Sequence, residues 1–166
     1  MAIRLNANNF WEFSLAFYSR EAVANACLSL QDRRGADVNL TLAICWLARS
    51  GYVVNDVALT NGLAATALWS DAILRPLRTI RRQLANFDDV AAAERQSIKH
   101  RLLAVELEGE RISQQKILAA LIEHVNGLNT EPARKLAIIG LDLYAAKLGA
   151  DEPQDRADLE TILAAL

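Results

Sequence analysis

Apolar residues recur along this chain at intervals of three and four, the period of amphipathic helices. Phe10, Phe13, Phe17, Ala24 and Cys27/Leu28 mark a first helix, which Asn8 or Asn9 can cap and which reaches to about residue 30. From 38 to 50 the pattern changes, because the chain is apolar on almost every side. Gly35 breaks the preceding helix, Asp37 is a good N-cap, and Gly51 fits the left-handed position after Ser50. A helix with no polar face belongs at the centre of a bundle.

A third helix opens at Asp56 or Thr60 and runs through Leu63, Ala67, Ile73 or Leu74, and Leu77 to Leu84. Pro76 should kink or restart it. Asp88 and Asp89 place negative charge where a fourth helix begins, which suits the helix dipole. That helix carries Ile98, Leu102, Val105, Ile112, Leu118/Ala119 and Ile122, extends to His124, and is expected to bend or break near Gly109. Asn126, Gly127 and Asn129 form a turn, after which Thr130 can cap a fifth helix with Pro132 in its first turn and Gly149 at its end. A short sixth helix occupies about 153–165. The expected fold is all-α: one compact bundle of about six helices over residues 1–166, with the apolar helix near 38–50 at its centre. The charged 86–95 segment is the one place where it could divide.

Charge and composition narrow the function classes. Eighteen Lys+Arg against 20 Asp+Glu give a net charge of −2, so the whole-molecule field does not steer the chain toward nucleic acid or an anionic membrane. Residues 1–9 lack an apolar stretch of secretory-signal length. The strongly apolar run 40–48 is about half of the ~20 residues that cross a bilayer. We therefore expect a cytoplasmic protein without a membrane span. Cys27 and Cys45 lack CxxC spacing and lie among apolar residues, as reduced, buried thiols do.

Catalytic signatures are missing: there is no GxSxG, GxxxxGK[ST], GxGxxG or HExxH. The reading leans away from an enzyme and calls for no cofactor and no metal. His100 and His124 lie too far apart along one helix to share a metal ion. Glu106, Glu108 and Glu110, spaced by two, read as a solvated acidic patch.

Two constellations remain. Gln31, Asp32, Asp37 and Asn39 press against the apolar helix. Either they cap the ends of the first two helices, or with Trp46 or Trp11 they line a cleft for a polar ligand or a hard cation. Arg75, Arg78 and Arg82 stand at i, i+3 and i+7 with Arg81 beside them, the strongest anion-binding signal in the chain. Internal pairing with the 106–110 acids, or plain solvation, is the competing reading. No aromatic residues interleave the basic face, which argues against nucleic acid. Trp69, Tyr18 and Tyr144 read as core or partner-facing aromatics.

The segments FWEFSLAFY (10–18), ACLSLQDRRGADVNLTL (26–42), Trp69 and RPLRTIRR (75–82) resemble the uncharacterised bacterial proteins grouped as DUF2390. The likeness spans about 10–111 and is carried above all by the run from Gln31 to Asn39. It implies a small soluble protein whose Trp11, Gln31, Asp32, Gly35, Asp37, Asn39, Trp69 and Arg78 match family positions, and it implies no activity. The leading expectation is a non-catalytic binding or adaptor domain that presents the Arg75–Arg82 face to a protein or a small anion. Its alternatives are a ligand-binding protein or enzyme with a cleft at the 31–39 turn, and a homodimer joined along the long fourth helix.

Overall fold

The computed structural model describes residues 5–125, 127 and 129–166; Asn126 of the expected turn, and the first four residues of the stretch read for a leader, lie outside it. The expected first helix is two: α1 (Ala7–Tyr18) and α2 (Glu21–Arg34). Its cap is Asn6 rather than Asn8 or Asn9, with the side chain accepting the Asn9 N–H at 2.9 Å. At the break the Ser19 hydroxyl donates to the Ala16 carbonyl, a local bond that competes with helix continuation. An unbroken helix over both segments would be about 40 Å long. The break lets Phe10 and Phe17 of one half, and Val23, Ala26, Cys27 and Leu30 of the other, enter the same core.

Gly35, at φ 70°, ends α2, and Asp37 opens α3 (Val38–Arg49), which closes at Gly51 with φ 85°. Every residue of α3 from Asn39 to Ala48 is buried, so the helix without a polar face does take the centre. It packs on α1, on α6 (Ala92–Ile122) and on α7 (Ala133–Leu148). Gly140 permits the close α7 contact, since a Cβ there would stand 2.7 Å from Ile44 Cγ2 and 3.3 Å from Val54 Cβ.

Asn55, not Asp56 or Thr60, caps α4 (Asp56–Trp69), accepting the Ala58 N–H at 2.9 Å. Pro76 falls where the third helix restarts, in the first turn of its last segment. A π-helical segment, Ser70–Leu74, carries α4 into α5 (Arg75–Ala85), and its wider turn makes room for the proline ring in the first turn of α5. The resulting 30-residue stretch, Asp56–Ala85, contains an 18-residue window of mean hydropathy 1.2 and is long and apolar enough to cross a membrane by length and composition alone, a longer stretch than the 40–48 run. Ala58, Leu59, Gly62 and Thr66 on its α4 part are buried in this fold.

α6 runs unbroken past Gly109 and stops at Ile122, short of His124. Gly109 is a point of close approach: its carbonyl accepts Trp69 Nε1–H at 3.1 Å, and a Cβ there would sit 2.6 Å from Leu74 Cδ2. Pro132, rather than Thr130, holds the N-cap position of α7, and Gly149, at φ 63°, ends it. Both cysteines are free and buried. Among the described residues eight α-helices result where about six were expected, because the first divides and the third is split by its π segment.

The last helix, α8 (Pro153–Ala164), opens with a capping box of Glu152 and Asp155 and is clamped to the end of α2. Arg33 reaches Asp155 at 2.5 Å and Asp158 at 2.6 Å, while Arg34 reaches Asp155 and Glu152 at 2.8 Å. The Arg34 hydrogen bond, helped by the Glu152 N–H and by Arg33, holds the buried Asp155 carboxyl below its ordinary value of 3.8. A carboxyl whose pKa is depressed by folding contributes stability above its unfolded pKa and loses it as pH falls through the folded one. Below about pH 3.8 α8 should therefore loosen before the centre does. Hydrogen exchange in 153–164 rising ahead of 38–49 on acidification checks this.

Candidate functional site

Asp37 joins a helix cap to a buried polar cluster. Its Oδ1 accepts the N–H groups of Asn39 at 2.8 Å and Leu40 at 3.2 Å, while Oδ2 receives the Thr66 hydroxyl of α4 at 3.4 Å. Its own N–H donates to Tyr144 Oη of α7 at 2.6 Å. Burial pushes the Asp37 carboxyl up from 3.8 and nearby Glu110 adds to this, while the Leu40 N–H and Arg78 pull it back. The Tyr144 phenol is likewise raised by burial.

A group raised in the folded state makes that state bind more protons, so stability falls as pH rises from 3.8 through the folded pKa. Asp37→Asn should keep the cap, remove this fall, and stay within about 0.5 kcal/mol of wild type, while Asp37→Ala loses about 1–2 kcal/mol. Denaturant melts of both variants across the acid range check the pair of outcomes.

In the first turn of α3, the buried Asn39 donates its amide to Glu110 Oε2 and accepts Gln114 Nε2–H at 3.0 Å. Glu110 Oε1 in turn receives Arg78. The result is a polar chain, Arg78–Glu110–Asn39–Gln114, from α5 through α6 to α3. Beside it Arg81 holds Glu106 with two bonds, at 2.6 and 3.1 Å. Glu106 is buried, Glu110 half-buried and Glu108 exposed, so the acids are not one solvated patch. Glu106 and Glu110 stand four apart on one helix face and meet Arg78 and Arg81, three apart on theirs.

The sequence-derived candidates therefore separate. Asp37 and Asn39 share the cluster, but Gln31 is half-buried and Asp32 exposed on α2, and neither joins it. Trp46 is core, stacked on Phe10 with ring centres 5.2 Å apart. Trp11 is half-buried under the Arg111 guanidinium, 5.8 Å from its ring centre. Among the arginines, Arg78 and Arg81 turn inward, whereas Arg75 pairs with Asp71 at 3.0 Å and Arg82 is exposed.

Several participants escaped the sequence reading. Gln114, Thr66 and the Arg33/Arg34 clamp carry no local signature. Among the described residues, the buried Ser14 Oγ, Ser113 Oγ and Gln114 Oε1 have no hydrogen-bond partner. Ser113 and Gln114 lie one turn beyond Glu110 on α6. Burial pushes the Cys27 thiol up to about 12 and Cys45 higher still, so both stay protonated and poorly nucleophilic at neutral pH. Among the described residues no three His, Cys, Asp or Glu side chains gather where they could hold a metal ion.

The sequence pattern described as "Protein of unknown function (DUF2390)" matches residues 9–117, well over half of the chain. The chain belongs to the DUF2390 family. The whole Arg78–Glu110–Asn39–Gln114 chain, the Arg81–Glu106 pair and the Trp69–Gly109 contact fall inside the family region, whereas α7 and α8, with Tyr144 and Asp155, lie beyond it. Comparison with curated proteins and with solved structures returned no match.

Proposed function

We propose that the chain is a non-catalytic binding domain whose contact surface is the outer face of the arm formed by residues 73–87 and 98–112, built on α5 and the first two thirds of α6. No residue of α5 is buried, and burial in α6 begins only at Glu106, so these segments extend from the core. Two arginines of the basic face, Arg78 and Arg81, pair with Glu110 and Glu106 and hold the arm's two helices in register.

The observation that carries the reading is apolar. Ile73, Leu77, Ile80, Leu84 and Phe87 step by four and three residues, and so do Ile98, Leu102, Val105, Gly109 and Ile112. The pairs Arg78–Glu110 and Arg81–Glu106 define which sides of the helices face each other. At about 100° per residue, Ile80 lies roughly 130° around α5 from that line, and Ile73 and Phe87 continue its three-and-four stepping in the π segment before α5 and just past its end. Ile98, Val105 and Ile112 lie about as far around α6 in the same rotational sense. In antiparallel helices equal rotations point to the same side, and here it is the side away from Asn39. The six side chains are 39 to 53% exposed, flanking the half-buried Leu77, Leu84 and Leu102. A trough of this kind, with apolar ridges, fits an apolar helical surface of another protein.

Ile80→Glu should abolish copurification of such a partner from the native host while the variant keeps its helical content. Hydrogen exchange in 75–85 should slow on complex formation. Unchanged partners with the variant, together with unprotected α5 amides, would overturn the reading.

A second reading, a small polar ligand beside Asn39, is favoured by the unpartnered Gln114 Oε1. Polar compounds that raise the Tm of the wild type but not of Gln114→Met would support it; equal shifts in both would remove it.

A further inference from the structure

We infer that the partner seated on the arm is a second copy of this chain, the two arms packing about a two-fold axis into a four-helix bundle. The inference rests on the arm being the contact surface.

Three features favour self-association. Steps of four and three are the spacing by which a helix presents knobs to a matching helix, and both sides of the arm carry it, over 98–112 within α6 and over 73–87 through the π segment, α5 and the turn after it. Each arm therefore contains what its partner must contain, the condition for an isologous interface. The six half-exposed ridge side chains form a patch on the order of 500 Å², at the upper end of what a monomer leaves open. Two such faces together bury about 1,000 Å² or more, the lower size of a specific interface.

Charge supplies the third feature. Beside the ridge of Ile98, Val105 and Ile112, the outer shoulder of α6 carries Glu94, Arg101 and Glu108 at seven-residue steps, all exposed and alternating in sign. The matching shoulder of α5 offers Pro76 and Gln83, without charge. An antiparallel pair of α6 helices offset by one repeat places Arg101 against Glu94 or Glu108 of the partner subunit, and the two-fold axis makes that ion pair twice. A stripe of a single sign would repel its own copy, so the alternation makes this surface complementary to itself.

Sedimentation of the full chain up to about 100 μM, a range that populates even modest interfaces, is expected to show a dimer. Ile80→Glu with Val105→Glu should weaken association about a hundredfold or more, since the interface would bury unpaired carboxylates, with circular dichroism unchanged. Arg101→Glu should weaken it less. The triple reversal Glu94→Arg, Arg101→Glu, Glu108→Arg should restore dimerisation with itself, a result that general surface stickiness would not produce.

A monomeric wild type, or a dimer indifferent to both the apolar and the charge variants, would overturn the inference. If a monomeric wild type still loses a host partner on Ile80→Glu, self-association alone fails and the arm remains a contact surface. If it instead sediments with anionic lipid vesicles through the arm, both the inference and the protein-binding reading fail.

Discussion

Replacing Trp46 by alanine should remove about 3–5 kcal/mol of stability, the largest single-residue effect we expect. Trp46 is 2% exposed, stacks on Phe10 and sits in the helix that the other elements surround. The loss combines the transfer energy of a large apolar side chain with the cavity left behind, and an enclosed site cannot collapse to fill it. Trp46→Phe, which refills much of the volume, should cost distinctly less. Urea melts should show the midpoint falling while the slope against denaturant stays constant. A Trp46→Ala protein as stable as wild type would mean that α3 is not the packing centre.

Glu110→Ala should cost about 2–3 kcal/mol and act mainly on the arm. The substitution strips a partner from Arg78 and from the buried Asn39 at once, leaving a guanidinium and an amide donor unsatisfied. Breaking a fully buried ion pair costs about 3–5 kcal/mol. The Arg78 and Glu110 side chains are 25 and 21% exposed, so solvent offsets part of that cost. Arg78→Ala combined with Glu110→Ala should lose less than the two single losses added together, with a coupling of about 1 kcal/mol or more. Hydrogen exchange should show 75–105 loosening while 38–49 stays protected. Strict additivity of the two variants would mean that the pair contributes nothing of its own.

Both results bear on what the arginine cluster is for. Its i, i+3, i+7 spacing was legible, and so was the competing idea that the 106–110 acids neutralise it. Which arginine does which is a matter of helix rotation: Arg78 and Arg81 point into the arm, Arg82 out of it, and Arg75 toward Asp71. The spacing of two among Glu106, Glu108 and Glu110 concealed that the outer two lie on one face.

The sequence by itself determined what rests on local signals. Helical period, an apolar stretch with no polar side, Asp37 as a cap, and glycines at Gly35, Gly51 and Gly149 in the left-handed region are properties of neighbouring residues, and they led to an all-α fold with α3 at its centre. Only the tertiary structure decided the rest. The break between α1 and α2 follows from the size of the core that both must enter. The passage of Pro76 depends on a π turn, and Gly109 is a contact with Leu74 and Trp69 rather than a hinge. Arg33 and Arg34 find Asp155, and Asn39 finds Glu110 and Gln114, across long stretches of chain. Periodicity shows which side of a helix needs a partner, but the partner's identity is set when distant segments pack, because only then are charges and amides taken from water and obliged to pair.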